Sequence, residues 1–277
     1  MIRITTLTAL ACLAAALPAT ADPALLQSRP VAAPGAADPL PPGLRGARLL
    51  PGWTDAAGDR VLALELLLEP GWKTYWRSPG DTGLPPHLDW SGSENLAQLT
   101  PHWPAPEPIR SGDVLEMGYH DRLVLPLTAR PADPARPVTV RGLIEIGLCQ
   151  DICVPASLSL EAPPPGPDPD PAITDALAQE PERLETRPAC RVTPIPDGLR
   201  VAVDLPGGAA RLAAVELTDR PEIWVSAADI GPGPAGAEAV VEMVAPTGQP
   251  FVLDPDALRL TVLPEDGTAI ETLGCAD

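Results

Sequence analysis

The chain has 277 residues, and its 37 acidic and 19 basic side chains give a formal net charge of −18 at pH 7. This acidity argues against binding to nucleic acid or to anionic membrane surfaces, and it leaves the fold open. The 39 prolines, 23 glycines and single phenylalanine favour short strands and many turns over long helices.

The first 21 residues have the features of a secretory signal peptide. Arg3 gives a positively charged start, residues 7–17 form an apolar run, and the small residues at 19–21 provide a cleavage site. The apolar run is much shorter than the ~20 residues that a membrane-spanning helix needs. We therefore expect a signal peptide over 1–21, export from the cytoplasm, and no stable insertion into the membrane.

Strand patterns begin after a loose Pro- and Ala-rich leader over 22–45. We expect an edge strand near Arg48, followed by strands where the sequence alternates or runs apolar, at 61–69, 123–129, 138–148 and 157–161. The prolines of 162–171 cannot continue a sheet, because proline has no amide donor. The sequence therefore predicts a first domain at 22–165 and a Pro-rich linker at 166–173.

The second half repeats the strand pattern after one predicted short helix at 172–180. Further strands are predicted at 199–205, 211–218, 222–226, 239–244, 258–263 and 268–273. Short strands separated by turns are typical of β-sandwiches. The predicted fold class is all-β, with two β-sandwich domains joined by the linker, the second at 174–277.

Four of the five cysteines remain once the signal peptide is removed. Four cysteines allow three pairings in an oxidising compartment, and the pairing that crosses no domain boundary joins Cys149 to Cys153 and Cys190 to Cys275. An 86-residue loop gives a chain-entropy stabilisation of about 4.6 kcal/mol, and a five-residue loop gives about 2 kcal/mol. The long bridge between Cys190 and Cys275 is therefore predicted to be structural.

The short pair requires a turn. In one extended strand, Cys149 and Cys153 would lie ~13 Å apart, which exceeds the ~7 Å limit for the Cα atoms of a disulfide. Residues 150–152 are therefore predicted to form the tip of a hairpin. A small exposed disulfide is the type expected to be labile, although it could equally pin the hairpin. No Lys, Arg or His lies in the tip and Asp151 would raise a thiol pKa, which favours a disulfide attacked by a partner's thiolate.

The segment "GWKTYWRSPGDTGLPPHLDW" at 71–90 is the richest in aromatic residues. Its tryptophans can simply fill the sandwich core. Alternatively, Tyr75, Trp76 and the Gly/Pro-rich loop after them cover the disulfide or form a surface on which a partner docks.

Four motifs in this order carry a specific resemblance: the segment at 71–90, "WPAPEPI" at 103–109, "MGYHDRLVLPL" at 117–127 and "CQDICVP" at 149–155. Together they resemble the periplasmic N-terminal domain of the DsbD/ScsB family of thiol:disulfide interchange proteins, over residues 60–161. The three-residue cysteine spacing is closer to the ScsB-like branch. The resemblance implies an immunoglobulin-like fold, and by extension two immunoglobulin-like β-sandwich domains in this chain.

The resemblance also implies a function in which electrons pass from a membrane-embedded or thioredoxin-like reductase to periplasmic disulfide proteins, without a cofactor. Carried over by position, Cys149 and Cys153 are the catalytic redox pair, and Cys153 forms the mixed disulfide. Tyr75, Trp76 and Tyr119 are candidates for the cap that shields the pair or for partner binding. Family roles of this kind include cytochrome c biogenesis and copper tolerance.

The chain departs from the full-length family pattern, because the sequence shows no membrane helices and no thioredoxin-type Cys-x-x-Cys. The protein is therefore expected either to use a separate electron donor or to have lost the electron relay. Two alternatives remain open: a non-catalytic β-sandwich used for binding or assembly, and a copper-handling protein. A copper site could use the thiolates with Met117, His102 or His120, although an oxidised cysteine pair cannot ligate. No metal site is predicted, and no hydrolase motif occurs.

Overall fold

The computed structural model describes residues 40–112, 114–265 and 267–276. Their regular secondary structure is almost entirely β-strand, which confirms the all-β prediction. The predicted signal peptide at 1–21 and residues 22–39 of the predicted leader lie outside the described residues. Within the described residues, no helix is long and apolar enough to cross a membrane.

The first half of the described chain forms two packed sheets. One sheet has the strand order β1-β2-β8-β5, and the other has the order β10-β9-β3-β7-β6, with β4 paired to β9. The strands are β1 (Leu44–Thr54), β2 (Arg60–Leu68), β3 (Lys73–Tyr75), β4 (His87–Asp89), β5 (Leu96–Pro101), β6 (Glu107–Ser111), β7 (Val114–His120), β8 (Arg122–Pro131), β9 (Arg141–Cys149) and β10 (Cys153–Glu161). Strand β1 begins at Leu44, four residues before the expected edge strand.

The second half forms another pair of sheets, ordered β11-β19-β18-β14 and β12-β13-β17-β15, with β16 paired to β17. Its strands are β11 (Glu182–Leu184), β12 (Cys190–Ile195), β13 (Gly198–Asp204), β14 (Ala210–Leu217), β15 (Trp224–Val225), β16 (Asp229–Gly233), β17 (Gly236–Val244), β18 (Leu258–Pro264) and β19 (Ile270–Leu273). A 3-10 helix covers Pro255–Ala257. Strand β11 pairs in parallel with β19 and forms one edge of its sheet.

The helix α1 (Pro171–Leu177) explains why the β2 sequence runs apolar instead of alternating. Strand β2 lies between β1 and β8, and one face packs in the sandwich core. Its other face, including Val61 and Ala63, packs against Ile173 of α1. The helix begins after Asp170, whose side chain accepts a hydrogen bond from the Ala172 amide.

The Pro-rich stretch is packed against the first sandwich. The Gly166 amide donates to the Gly52 carbonyl at 2.7 Å, and the guanidinium of Arg60 contacts the Pro163 carbonyl. The main core of the first sandwich also includes Leu212, Ala214, Leu263 and Ala269 from the second. Residues 40–277 accordingly group as one compact unit. The domain boundaries at 165 and 174 stay a prediction.

Candidate functional site

The site lies at the tip of the hairpin formed by β9 and β10. Cys149, the last residue of β9, is paired in register with Cys153, the first residue of β10. Their Cα atoms are 4.1 Å apart, and a disulfide joins them. The Gln150 amide donates to the Ile152 carbonyl at 3.2 Å and closes the three-residue turn. Directly opposed residues of antiparallel strands have the spacing that a disulfide needs, and this is the predicted arrangement.

The two cysteines differ in their exposure to solvent. Cys149 is 1% exposed, because β9 lies between β10 and β3. Cys153 is exposed on the edge strand, and the neighbouring Ile152 is 73% exposed. Of the two cysteines, Cys153 is therefore the one that is open to a thiolate from another molecule.

Tyr75 lies directly behind the disulfide. Its phenolic oxygen is 3.1 Å from the Cys149 sulfur and 3.3 Å from the Cys153 sulfur, and the side chain is 2% exposed. This position follows from the pairing of β3 with β9, which sets Lys73 opposite Cys149 and Tyr75 two residues further along the same strand. Because disulfide sulfurs carry no proton, the phenol is the only possible donor in these contacts.

Glu116 on β7 is the second acceptor for Tyr75. Its Oε1 accepts from the Tyr75 hydroxyl at 3.2 Å and from the Thr82 hydroxyl at 2.9 Å. Its Oε2 accepts from the Ser111 hydroxyl at 2.8 Å and forms a buried ion pair with Lys73. The carboxylate therefore has a donor on every side, which satisfies the requirement for burying a charge.

The surroundings shift the pKa values of both groups. Burial alone would raise the pKa of Glu116, but hydrogen bonds from Lys73, Ser111 and Thr82 and the charge of Lys73 lower it overall. Burial, the charge of Glu116 and the hydrogen bond to it raise the pKa of Tyr75. The site thus holds an ionised carboxylate beside a protonated phenol.

Two glycines make room for the Tyr75 ring. A Cβ atom on Gly147 would lie 3.0 Å from Cδ2 of Tyr75 and 2.8 Å from Cβ of Leu84. A Cβ atom on Gly83 would lie 3.0 Å from Cδ1 of Tyr75 and 2.3 Å from Cβ of Pro79. The Gly/Pro-rich segment after β3 therefore packs closely over Tyr75.

The other two aromatic candidates lie in the core. Trp76 is fully buried, and the guanidinium of Arg77 stacks 4.2 Å from its ring centroid. Tyr119 is 5% exposed and donates to the Pro104 carbonyl at 2.8 Å. Of the three candidates, the structure brings Tyr75 to the cysteines.

Sequence reasoning missed the polar residues behind Tyr75. It found no basic residue in the hairpin tip, whereas the structure places Lys73 across from Cys149 on β3. Glu116, Ser111 and Thr82 were not considered. A signal existed, because Lys73 and Glu116 are charged residues within otherwise buried strands, and such residues need a partner.

The second disulfide joins Cys190 to Cys275, with Cα atoms 5.6 Å apart. It is the pairing predicted for the second half. The Ala276 amide donates to the Pro188 carbonyl at 2.8 Å beside the bridge. The bond thus ties the start of β12 to the residues after β19.

The candidate copper ligands have other partners. His102 hydrogen-bonds Thr128 and Glu180, and His120 pairs with Glu107. Met117 is 3% exposed in the sandwich core. No group of three or more His, Cys, Asp and Glu side chains placed to hold a metal ion occurs in the part of the chain that the structure describes.

Comparison with known proteins confirms the resemblance. Residues 47–164 match the family model described as "Thiol:disulfide interchange protein DsbD, N-terminal". The crystal structure of the N-terminal periplasmic domain of ScsB from Proteus mirabilis is similar with a TM-score of 0.60 at 22% identity, covering 83% of this chain and 92% of that chain. This likeness supports the fold of both halves.

Two other comparisons give no information about the fold or the function of this protein. The crystal structure of Dpr2 Ig1-Ig2 in complex with DIP-Theta Ig1-Ig3 matches with a TM-score of 0.16 at 9% identity, covering 86% of this chain and 100% of that chain. No curated protein matches the sequence significantly.

Proposed function

We propose that this protein, whose residues 47–164 match the family model of the DsbD N-terminal domain, relays electrons in the periplasm by thiol:disulfide exchange at Cys149–Cys153. The donor is a membrane reductase or a thioredoxin-like protein, and the acceptors are periplasmic disulfide proteins. The observation that carries the proposal is the one-sided exposure of the disulfide, with Cys153 open to a partner and Cys149 buried against Tyr75.

The exchange takes place in two displacements. A thiolate of the reduced donor attacks the Cys153 sulfur, so that a mixed disulfide forms and Cys149 leaves with the electron pair. The donor's second thiolate then attacks the donor sulfur of the mixed disulfide and releases Cys153. Two electrons and two protons pass from the donor dithiol, which becomes a disulfide, and reversal of the same steps reduces an acceptor.

The two disulfides of this chain suit different tasks. The five-residue loop at Cys149–Cys153 contributes only about 2 kcal/mol by chain entropy, which is little for a structural clamp. Cys190–Cys275 closes an 86-residue loop and contributes about 4.6 kcal/mol on the same model. The second bridge is therefore proposed to be structural, and it serves as an internal reference in the test.

The test is a redox titration of the protein in defined glutathione and dithiothreitol buffers, with alkylation and peptide mapping of each cysteine. We expect Cys149 and Cys153 to be reduced together at a potential above about −300 mV, and Cys190 and Cys275 to resist reduction beyond it. Equal resistance of both bridges contradicts the proposal and leaves the short disulfide as a hairpin clamp in a binding protein. A cysteine pair that binds copper only when reduced would instead favour metal handling.

A further inference from the structure

We infer that Tyr75 is a catalytic residue whose phenol donates a hydrogen bond to the Cys149 thiolate released during exchange. In the resting oxidised protein the same phenol is held by Glu116. The inference rests on the proposed function, because it concerns the intermediate in which Cys149 has left the disulfide.

The exchange creates a charge in an unfavourable place. Attack on Cys153 puts the electron pair of the broken S–S bond on the Cys149 sulfur, and this residue is 1% exposed. Water cannot solvate an anion at that depth, so an isolated thiolate there is strongly disfavoured. Fast exchange thus requires a donor already in place beside the Cys149 sulfur.

The phenol of Tyr75 meets that requirement without moving. Its oxygen is 3.1 Å from the Cys149 sulfur and 3.2 Å from Oε1 of Glu116. A carboxylate is a much better acceptor than a disulfide sulfur, so the phenolic proton points to Glu116 in the oxidised state. Once Cys149 is a thiolate, rotation of the hydroxyl alone redirects the proton to sulfur.

Glu116 can lose this donor without becoming an unpaired buried charge. The same oxygen keeps the Thr82 hydroxyl at 2.9 Å. The other oxygen keeps the Ser111 hydroxyl at 2.8 Å and the Lys73 ammonium. The hydrogen bond can therefore pass from carboxylate to thiolate, and the raised pKa of Tyr75 keeps the proton on the phenol as it does so.

The charges around the sulfurs make this donor important. Lys73, on the strand paired with Cys149, is already engaged with Glu116, and Asp151 in the hairpin tip adds a negative charge. Like charges disfavour a thiolate, whereas a neutral donor stabilises it without adding charge. The phenol is thus suited to stabilise the short-lived Cys149 thiolate.

The first test is the rate of reduction of Cys149–Cys153 by dithiothreitol at constant pH, followed by quenching with an alkylating reagent. Tyr75→Phe removes only the hydroxyl, and we expect reduction to slow by about 10- to 100-fold, the effect of one hydrogen bond to a charged group. Tyr119→Phe also removes only a buried tyrosine hydroxyl, which donates to the Pro104 carbonyl and not to Glu116 or to a sulfur. This control should keep the rate of the unmodified protein.

The second test needs no substitution in the site. The chain contains two tyrosines, Tyr75 and Tyr119, so labelling the Cζ carbon of tyrosine with carbon-13 gives two NMR signals. On reduction of the short disulfide, the Tyr75 signal should shift as its hydrogen bond changes, and the Tyr119 signal should stay in place.

The outcomes separate this inference from the proposed function. If dithiothreitol reduces the short disulfide of Tyr75→Phe as fast as that of Tyr119→Phe, or if the Tyr75 signal does not respond to reduction, the role of the phenol is refuted while exchange stands. If the short disulfide of the unmodified protein resists dithiothreitol, the proposed function itself fails.

Discussion

Replacing Arg77 by methionine should destabilise the protein strongly, because this side chain joins the two sandwiches through charges that are largely shielded from solvent. Its guanidinium donates to Oε1 of Glu216 at 3.0 Å, to Oε2 of Glu271 at 2.6 Å and to the Thr261 hydroxyl at 3.2 Å. The side chains of Arg77, Glu216 and Glu271 are 14%, 15% and 11% exposed. Methionine keeps the apolar stem, so the substitution mainly removes the charge.

The expected loss of stability depends on which partners Glu216 and Glu271 keep without Arg77. Loss of one partner from a buried ion pair costs about 3–5 kcal/mol, because the other charge stays buried. Glu271 retains Arg183 at 3.5 Å and Arg259 at 3.8 Å, so part of its charge stays compensated, whereas Glu216 loses both contacts with Arg77. We therefore expect a loss near the lower end, about 3 kcal/mol. Arg183 is 61% exposed, and Arg183→Met should cost about 0–1 kcal/mol.

The assay is urea unfolding followed by tryptophan fluorescence, with Arg183→Met as the matched control. If a carboxylate left without its partner causes the loss of stability, adding Glu216→Gln to Arg77→Met should recover much of that stability. The reasoning is refuted if the free energies of unfolding of Arg77→Met and Arg183→Met differ by no more than about 0.5 kcal/mol, which is the effect of an ordinary surface substitution.

Two further predictions concern the Cys190–Cys275 disulfide and the packing around Tyr75. Replacing Cys190 and Cys275 by serine should lower the free energy of unfolding by about 4–5 kcal/mol in a denaturant titration, and a loss below about 2 kcal/mol contradicts the chain-entropy argument. Gly147→Ala should cost about 1–3 kcal/mol, since its Cβ would lie 2.8 Å from Leu84 and 3.0 Å from Tyr75. Gly231→Ala has no atom within 4 Å of the new Cβ and is the control, so equal thermal midpoints for the two variants argue against close packing over Tyr75.

Several short strands escaped prediction for a common reason. Strands β3 and β4 have three residues each, and β5 and β6 each contain a proline and are exposed at half or more of their positions. Such segments have no clear period of their own and become strands because a neighbour offers hydrogen bonds. Local pattern reasoning reads them as turns.

The predicted strands, by contrast, carry their own pattern. Strands β9, β13 and β18 lie where the sequence alternates or runs apolar, because each has a face that must be buried. The hairpin tip was also predictable, since two cysteines with three residues between them can bond only across a turn. These are constraints between residues that are close in the chain.

The residues around the disulfide were decided by the tertiary structure. Tyr75 and Glu116 are 41 positions apart, and Tyr75 and Cys149 are 74 apart. Their meeting depends on β3 lying between β7 and β9 in a given register, and a shift of one residue would turn Tyr75 to the other face. The sequence by itself therefore indicated the strands with a clear apolar pattern and the hairpin at Cys149–Cys153, which follow from local periodicity and from the spacing of the two cysteines. Non-local strand pairing alone decided which side chains face the sulfurs.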